Sequence, residues 1–329
     1  MDAGEHTDVM GAGVDDQGWS NTRAWVEKTL GEGDRIRAVV PLRGGWTSQM
    51  RRLDIEGRNG EPRSLVLRSF VKPFFVKHAQ GLLTREADML RFLAETHVPV
   101  ADFHGVDALA EHCDHPSLLM SLLPGRVRLD DDEDVPRRTE LLARQLLDIH
   151  GLFVPTGARP RTYEAWTAAD RVRLPEGTRR PELWRRAVDV IRRPPPPYRP
   201  CFLHRDFHPG NVLFTGHGAD LAVTGVVDWV ETSWGPADLD VAHCSTALAL
   251  LHGVDAGMRL ADDYLAAGGM LDGDPGAHLY WRLLDALAFA PDAEKVAGPW
   301  RELGRHDLTP ATLTHRLEDY VQALFSRYG

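Results

Sequence analysis

The sequence predicts an α+β protein whose first part is built on a sheet and whose second part is mostly helical. Three observations carry this. Strand-like apolar runs separated by Gly- and Asn-containing turns crowd the stretch before residue 123. One helical period interrupts them at Leu83–Glu95, with Leu83, Met89, Leu90 and Leu93 on one side. From Val135 onward helical periodicity dominates.

In order, Ser20–Leu30 reads as a short helix with Ser20 as its cap and Gly31 as its stop. Ile36–Leu42, Met50–Ile55 and Ser64–Phe70 follow as strands, joined by turns at Gly44–Gly45 and Asn59–Gly60. After the helix at 83–95, Val98–Val106 and Ser117–Leu122 are two further strands. Pro124–Gly125 breaks the pattern. Beyond it lie helices at Glu140–His150 and Arg180–Arg192, then a rigid spacer at Pro194–Pro197. Short strands are expected at Cys201–Leu203, Val212–Phe214 and Leu221–Val227. Helices are expected at Ala237–Leu251, Ala256–Ala267, His278–Ala288 and Thr309–Phe325. The expected organisation is a disordered tail at 1–20, a first lobe at 21–122 and a second lobe at 123–329, with a ligand-holding cleft between the lobes.

Composition narrows the function. A net charge of −10 argues against nucleic acid as the main partner, because phosphate backbones need a basic footprint. No run of about 18 apolar residues marks a membrane span. Cys113, Cys201 and Cys244 are scattered and draw neither a disulfide framework nor a metal pair, which suits a reducing, cytoplasmic setting. Lysine is scarce: Lys28, Lys72, Lys77 and Lys295 stand against a chain otherwise rich in Arg.

The most informative segment is CFLHRDFHPGNVLF, residues 201–214. Flanking apolar strands make His204-Arg205-Asp206-Phe207-His208-Pro209-Gly210-Asn211 a loop held at both ends. Asp206 can accept a proton from a bound hydroxyl. Asn211 offers an amide oxygen suited to Mg²⁺ bound alongside phosphate. Further on, the apolar strand Val223–Trp229 carries Asp228 at its end, where a carboxylate can serve a second metal position. His204, Asp206 and His208 alternate, so a transition-metal hydrolase site is the competing interpretation.

HxDxxxxN followed by an apolar strand and Asp resembles the catalytic pattern of the protein-kinase-like fold. With HRDFHPGN and then VVDW, the chain looks like the aminoglycoside phosphotransferase and choline kinase branch, from about Leu30 to the C-terminal helices. The resemblance implies a bilobal kinase-like fold, a nucleoside triphosphate (ATP or GTP) with Mg²⁺, and transfer of the γ-phosphoryl group to a hydroxyl of a small molecule. An antibiotic such as an aminoglycoside is one implied acceptor. An amino alcohol, a sugar or a macrolide is another, and a nucleotide-binding module without transfer is the alternative from a different class.

By the same resemblance Asp206 is the catalytic base, His204 braces its loop, Asn211 and Asp228 hold Mg²⁺, and Asp240 supports the loop from behind. The turn containing Gly44, Gly45, Thr47 and Ser48 lies above the triphosphate. Arg68 stands where the family places a phosphate-pairing Lys, with Lys72 as the other candidate, and Glu86 is its ion-pair partner. Met120, Ser121 and Leu123 hold the purine at an interlobe hinge. Taken singly these are weaker signals: Gly44–Gly45 also reads as a plain hairpin turn, Glu86 as a solvated helix residue, and 117–125 as a buried edge strand. Trp229, Glu231, Trp234 and Asp238 are candidates for the acceptor side. Asp255, Asp262, Asp263, Asp272 and Asp274 join Glu231 and Asp238 as either a negative field for a cationic acceptor or ordinary exposed helix faces. The acidic run Asp130–Asp134 reads as a solvated loop in preference to a substrate clamp.

Overall fold

The computed structural model describes residues 19–42, 47–176, 178–291 and 293–329. The turn carrying Gly44 and Gly45 lies outside these described residues. The chain divides into two compact units. One holds the described residues up to Leu42 together with Thr47–Thr84 and His104–Ser121. The other holds Arg85–Phe103 and Leu122–Gly329.

The first unit is a sheet with a helix, α1 (Ser20–Thr29), packed on it. Its strands are β1 (Arg35–Leu42), β2 (Gln49–Glu56), β3 (Pro62–Ser69), β4 (Phe103–Asp107) and β5 (Ser117–Ser121), in the order β1-β2-β3-β5-β4. β2 runs antiparallel to β1 and β3, and β5 antiparallel to β3. Leu53 and Ile55 of β2 alternate inward, as a half-buried strand requires. They meet Leu65 and Leu67 of β3, Leu119 of β5, and Trp19, Val26 and Leu30 at the helix.

Several sequence expectations change here. Trp19 is buried in this core and Ser20 is the first helical residue, so these two residues of the expected tail belong to the folded sheet unit. Ser20 makes no cap. Asp114 takes that role instead, accepting hydrogen bonds from the Thr22 amide and hydroxyl and from the Asn21 side chain, and so satisfies donors that a helix start leaves unpaired. The helix expected from Leu83 begins at Pro73, giving α2 (Pro73–Leu93). Proline is well tolerated at a helix start, and Gly81 sits in the helix interior in open space. The strand expected at Val98–Val106 contracts to β4. The Pro99 carbonyl instead accepts from the Val226 amide at 2.8 Å.

The second unit contains α3 (Val135–His150), α4 (Pro181–Ile191), α5 (Ala237–His252), α6 (Val254–Ala266), α7 (Pro275–Ala286), α8 (Ala297–Glu302) and α9 (Pro310–Tyr328). Residues Ala237–Leu251 of α5 are all buried, the polar Asp238, Asp240 and His243 among them. Trp184, Leu239, Trp281, Leu317 and Tyr320 share the core around it. Two small sheets sit among the helices. One orders β6 (Arg126–Val127), β8 (Val212–Thr215) and β9 (Ala222–Val226). The other pairs β7 (Pro200–Leu203) with β10 (Ser233–Pro236), placing Trp234 opposite Phe202. β6 and β10 are too short to show alternation and went unseen in the sequence. Gly125, at φ 95°, makes the turn into β6; a Cβ there would lie 2.5 Å from Thr224 Oγ1 and 2.8 Å from the Phe214 carbonyl. Cys113, Cys201 and Cys244 are free thiols. Among the described residues no helix is long and apolar enough to cross a membrane.

Candidate active site

The loop 204–211 leaves β7 and enters β8. β10 pairs with β7 and runs directly into α5, so the first turn of α5 arrives beside the loop. Asp240 in that turn uses both carboxylate oxygens on the loop backbone, accepting from the amides of His204 and Arg205 at 2.8 Å each. Arg205 holds a left-handed φ of 73°, uncommon for a side chain of its size, and these bonds secure it. Asp240 is fully buried. Burial would raise its carboxyl, but the hydrogen bond from His150 Nε2 and nearby positive charge hold it below its usual range. His150 Nδ1 in turn accepts from the Tyr264 hydroxyl at 2.8 Å.

His204 is equally buried and fixed at both ring nitrogens. Nε2 donates to the Val227 carbonyl at 3.0 Å, and Nδ1 accepts from the Asp206 amide at 3.2 Å. That pattern demands the neutral tautomer, and burial pushes the His204 pKa down accordingly. The ring also lies 4.4 Å from that of Trp229.

Asp206 is the least buried of the group, with a third of its side chain exposed. Its Oδ1 lies 3.2 Å from His243 Nε2. Its Oδ2 accepts from Asn211 Nδ2 at 3.2 Å, and the same amide donates to the Asp206 carbonyl at 2.9 Å. Burial of the surrounding atoms acts to raise the Asp206 carboxyl. The hydrogen bond from His243 and the charge on that ring outweigh it and hold the group well below the usual carboxylate range. The carboxylate is therefore ionised. His208 accepts the Gly210 amide on Nδ1 and is pushed down to about 4, chiefly by burial. Gly210 is required: a Cβ there would sit 2.6 Å from the His208 ring.

With its nitrogen committed to Asp206, Asn211 has its amide oxygen left as a ligand atom. The Val227 amide donates to the Asn211 carbonyl at 3.0 Å, so Asp228 is the next residue beyond that link. Asp228 adopts a left-handed φ of 65°, a conformation that Asp tolerates better than most side chains. Two hard oxygen donors at adjoining strand ends are a chemistry that suits Mg²⁺. The transition-metal alternative finds no support: both His204 nitrogens are engaged, and among the described residues no trio of His, Cys, Asp or Glu is placed to hold a metal.

The acceptor-side candidates fare differently. Trp229 is fully buried, with its indole N–H on the Val226 carbonyl, so it is core and cannot line a substrate wall. Asp238 is buried too, 3.7 Å from His278 Nδ1, and accepts from the Asp272 amide. Glu231 pairs with Arg161. Trp234 is half-buried beneath the Arg159 guanidinium, 4.6 Å from its ring centre. Of the further acidic residues, Asp262 pairs with Arg327, Asp263 with Arg259, and Asp274 caps α7. Asp272 accepts from the Asp274 amide. Asp255 lies exposed in the first turn of α6, where the helix start favours an anion.

In the first unit Arg68 is buried on β3, 3.2 Å from Thr47 Oγ1 and above the Phe70 ring. Lys72 is exposed between β3 and α2. Ser48 is buried, with its hydroxyl on Met50 sulfur. Met120 is buried on β5 opposite Val66, and Ser121 faces Leu65. In the second unit Glu86 is buried on α2, and Leu123 packs over Gly225. Sequence analysis missed His243 and Asp285. The available signal was spacing: His243 lies three residues after Asp240, on the same helix face.

An antiparallel sheet with a helix, followed by a helical region whose strand-flanked loop presents Asp206 and Asn211 ahead of Asp228, defines a phosphotransferase of the bilobal, protein-kinase-like class. The profile of the phosphotransferase enzyme family matches residues 38–281, and the chain belongs to that family. Among solved structures it is similar to a thermostable variant of aminoglycoside phosphotransferase APH(4)-Ia in complex with AMP-PNP and hygromycin B, at 16% identity and a TM-score of 0.60, covering 92% of this chain and 99% of that one. A macrolide 2′-phosphotransferase from Brachybacterium faecium matches at 15% identity and 0.53, covering 87% and 98%. An APH(2″) structure with GDP and kanamycin matches at 13% and 0.55, covering 89% and 94%. These likenesses establish the fold. No curated protein matches the chain.

Proposed function

We propose that this protein transfers the γ-phosphoryl group of ATP or GTP to a hydroxyl of a small molecule, with Asp206 orienting that hydroxyl and taking its proton. The observation that carries the proposal is the Asp206 carboxylate. It is ionised, partly exposed, and held through both oxygens by Asn211 and His243. In the reaction the acceptor oxygen bonds to the γ-phosphorus, the bond from that phosphorus to the β–γ bridging oxygen breaks, and the nucleoside diphosphate leaves. The hydroxyl proton passes to Asp206. Such transfers depend mainly on positioning and electrostatics, which is what a rigidly held carboxylate supplies.

Asn211 and Asp228 would hold Mg²⁺, which when bound neutralises charge on the triphosphate. Arg68, with Glu86 as its partner, is assigned to the α- and β-phosphates. Thr47 and Ser48 with Gly44 and Gly45 are assigned to the turn above them, and Met120, Ser121 and Leu123 to the purine. Relatives crystallised with AMP-PNP and with GDP support a nucleotide of either kind.

Arg161, Arg327 and Arg259 pair with Glu231, Asp262 and Asp263, whereas Asp238, Asp272 and Asp274 accept from backbone amides and keep their negative charge. An aminoglycoside therefore stands among the acceptors beside macrolides, sugars and amino alcohols. A nucleoside-diphosphate-release screen across all of these, with ATP and with GTP, tests the function. Release should depend on one acceptor and vanish in Asp206→Ala. Folded, nucleotide-binding protein that gives no acceptor-dependent release would mark a binding module instead.

A further inference from the structure

His243 sits in the middle of α5, almost fully buried, with each ring nitrogen against a carboxylate. Nδ1 lies 3.0 Å from Asp285 Oδ1 on α7, and Nε2 lies 3.2 Å from Asp206 Oδ1. A neutral imidazole owns one N–H, so both contacts are hydrogen bonds to ionised carboxylates only when the ring carries two protons. Asp285 makes the same demand from its side. It is buried, and its second oxygen has no hydrogen-bond partner among the described residues. A buried carboxylate in that position needs a countercharge, and the ring beside it is the group placed to give one.

The ring is also fixed in orientation. Trp166 meets it edge-on at 4.8 Å, Phe289 stacks at 5.9 Å, and His208 lies 5.8 Å away. The titratable groups facing it are Asp206 and His208 from the loop and Asp285 from α7. Burial works against a charged His243, but Asp285 and Asp206 outweigh it and bring the group up to about 9. His208, itself buried and close to that charge, stays neutral.

We propose that His243 is a positioning residue for phosphoryl transfer: a buried imidazolium, anchored by Asp285, that fixes Asp206 through Oδ1 and so aims Oδ2 at the acceptor. The proposal rests on the assignment of Asp206 as the base. A carboxylate oxygen has two lone pairs, so Oδ2 accepts from Asn211 and keeps capacity for the acceptor proton. A neighbouring cation makes a carboxylate less basic, so the gain lies in aim and not in proton affinity. Losing it costs turnover and spares nucleotide binding.

The test combines nitrogen-resolved NMR of the histidine rings in full-length ¹⁵N-labelled protein with steady-state kinetics. Near neutral pH the wild type should show one ring with both nitrogens protonated. That signal should vanish in His243→Gln and collapse to a singly protonated ring in Asp285→Asn. Turnover is read with the acceptor found by screening, or as slow nucleotide hydrolysis where none is found. His243→Gln should lower kcat about 10²-fold, the scale of a misplaced reacting group, with nucleotide KM unchanged. Asp285→Asn should lose less. A neutral His243 ring in the wild type, or wild-type kcat in folded His243→Gln, overturns the proposal. Failure of the base assignment gives a different pattern: Asp206→Ala keeps its turnover while the doubly protonated ring of the wild type is still observed.

Discussion

Asp206 presents a full negative charge because its neighbours cancel the effect of its burial, and that charge is what an incoming hydroxyl would meet. Asp206→Ala should therefore cut turnover by about 10²–10⁴, the range for loss of a general base, with further loss from the unaimed acceptor. Nucleotide affinity and melting temperature should stay near wild type. The decisive measurement is kcat on the purified, folded variant; retention of wild-type turnover would end the base assignment. At this scale the sequence was informative where the chemistry is local. His204, Asp206 and Asn211 fall in one loop, and flanking apolar runs announce it. Spacing could place His243 on the helix face of Asp240, but the link from Asp285 through His243 to Asp206 was illegible, because it joins α5 and α7 to a loop far away in the chain. Trp229 misled for a related reason: a tryptophan next to a functional aspartate reads alike whether it lines a pocket or fills the core behind it.

Elements were legible where periodicity ran long and unreadable where it did not. The long helices of the second unit and the first three strands follow their patterns. β6 and β10 do not, because their pairing is set by the partner strand and not by their own residues. α2 starts ten residues before the helix expected from Leu83, and Gly81 inside it costs too little to stop a helix once tertiary packing favours it. Gly125 marks the opposite case, where one residue decides an element. Its left-handed φ and the closeness of Thr224 and Phe214 leave no room for a side chain. Gly125→Ala should destabilise the fold by at least about 1–2 kcal/mol, the cost of forcing an L-residue into that region, before any clash is counted. Urea unfolding followed by circular dichroism measures this; a loss below about 0.5 kcal/mol, the ordinary range for a harmless surface change, would contradict it.

At the scale of the whole molecule, His208 and His252 respond to pH in the opposite sense to His243. His208 and His252 are depressed from 6.5 to about 4, chiefly by burial, so the folded protein keeps them neutral. Unfolding frees them to bind protons, and the stability they contribute is intact above 6.5 and drains away as pH falls toward 4. His243 is raised to about 9, so its contribution is complete below 6.5 and is lost as pH rises through 9. Stability should thus peak near pH 6.5 and decline on both sides. Urea midpoints measured across this range should trace that dome, and His243→Gln should flatten its alkaline arm. A wild-type profile that is level from neutrality to pH 9 would remove the charge assigned to His243.

The three free cysteines divide between the two compact units, Cys113 in the first and Cys201 and Cys244 in the second. Each thiol is held protonated by its surroundings: burial lifts Cys113 to about 12 and raises Cys201 and Cys244 as well. Alkylating reagents attack the thiolate, so the native chain is nearly silent toward them. The molecule therefore carries its own unfolding reporters, needing no added dye or engineered label. A timed pulse of iodoacetamide in rising urea, read peptide by peptide in a mass spectrometer, would show whether the sheet unit and the helical unit open together or one before the other. A Cys113 peptide modified while Cys201 and Cys244 remain untouched would reveal separate cooperative blocks. Simultaneous modification would show that the chain melts as one.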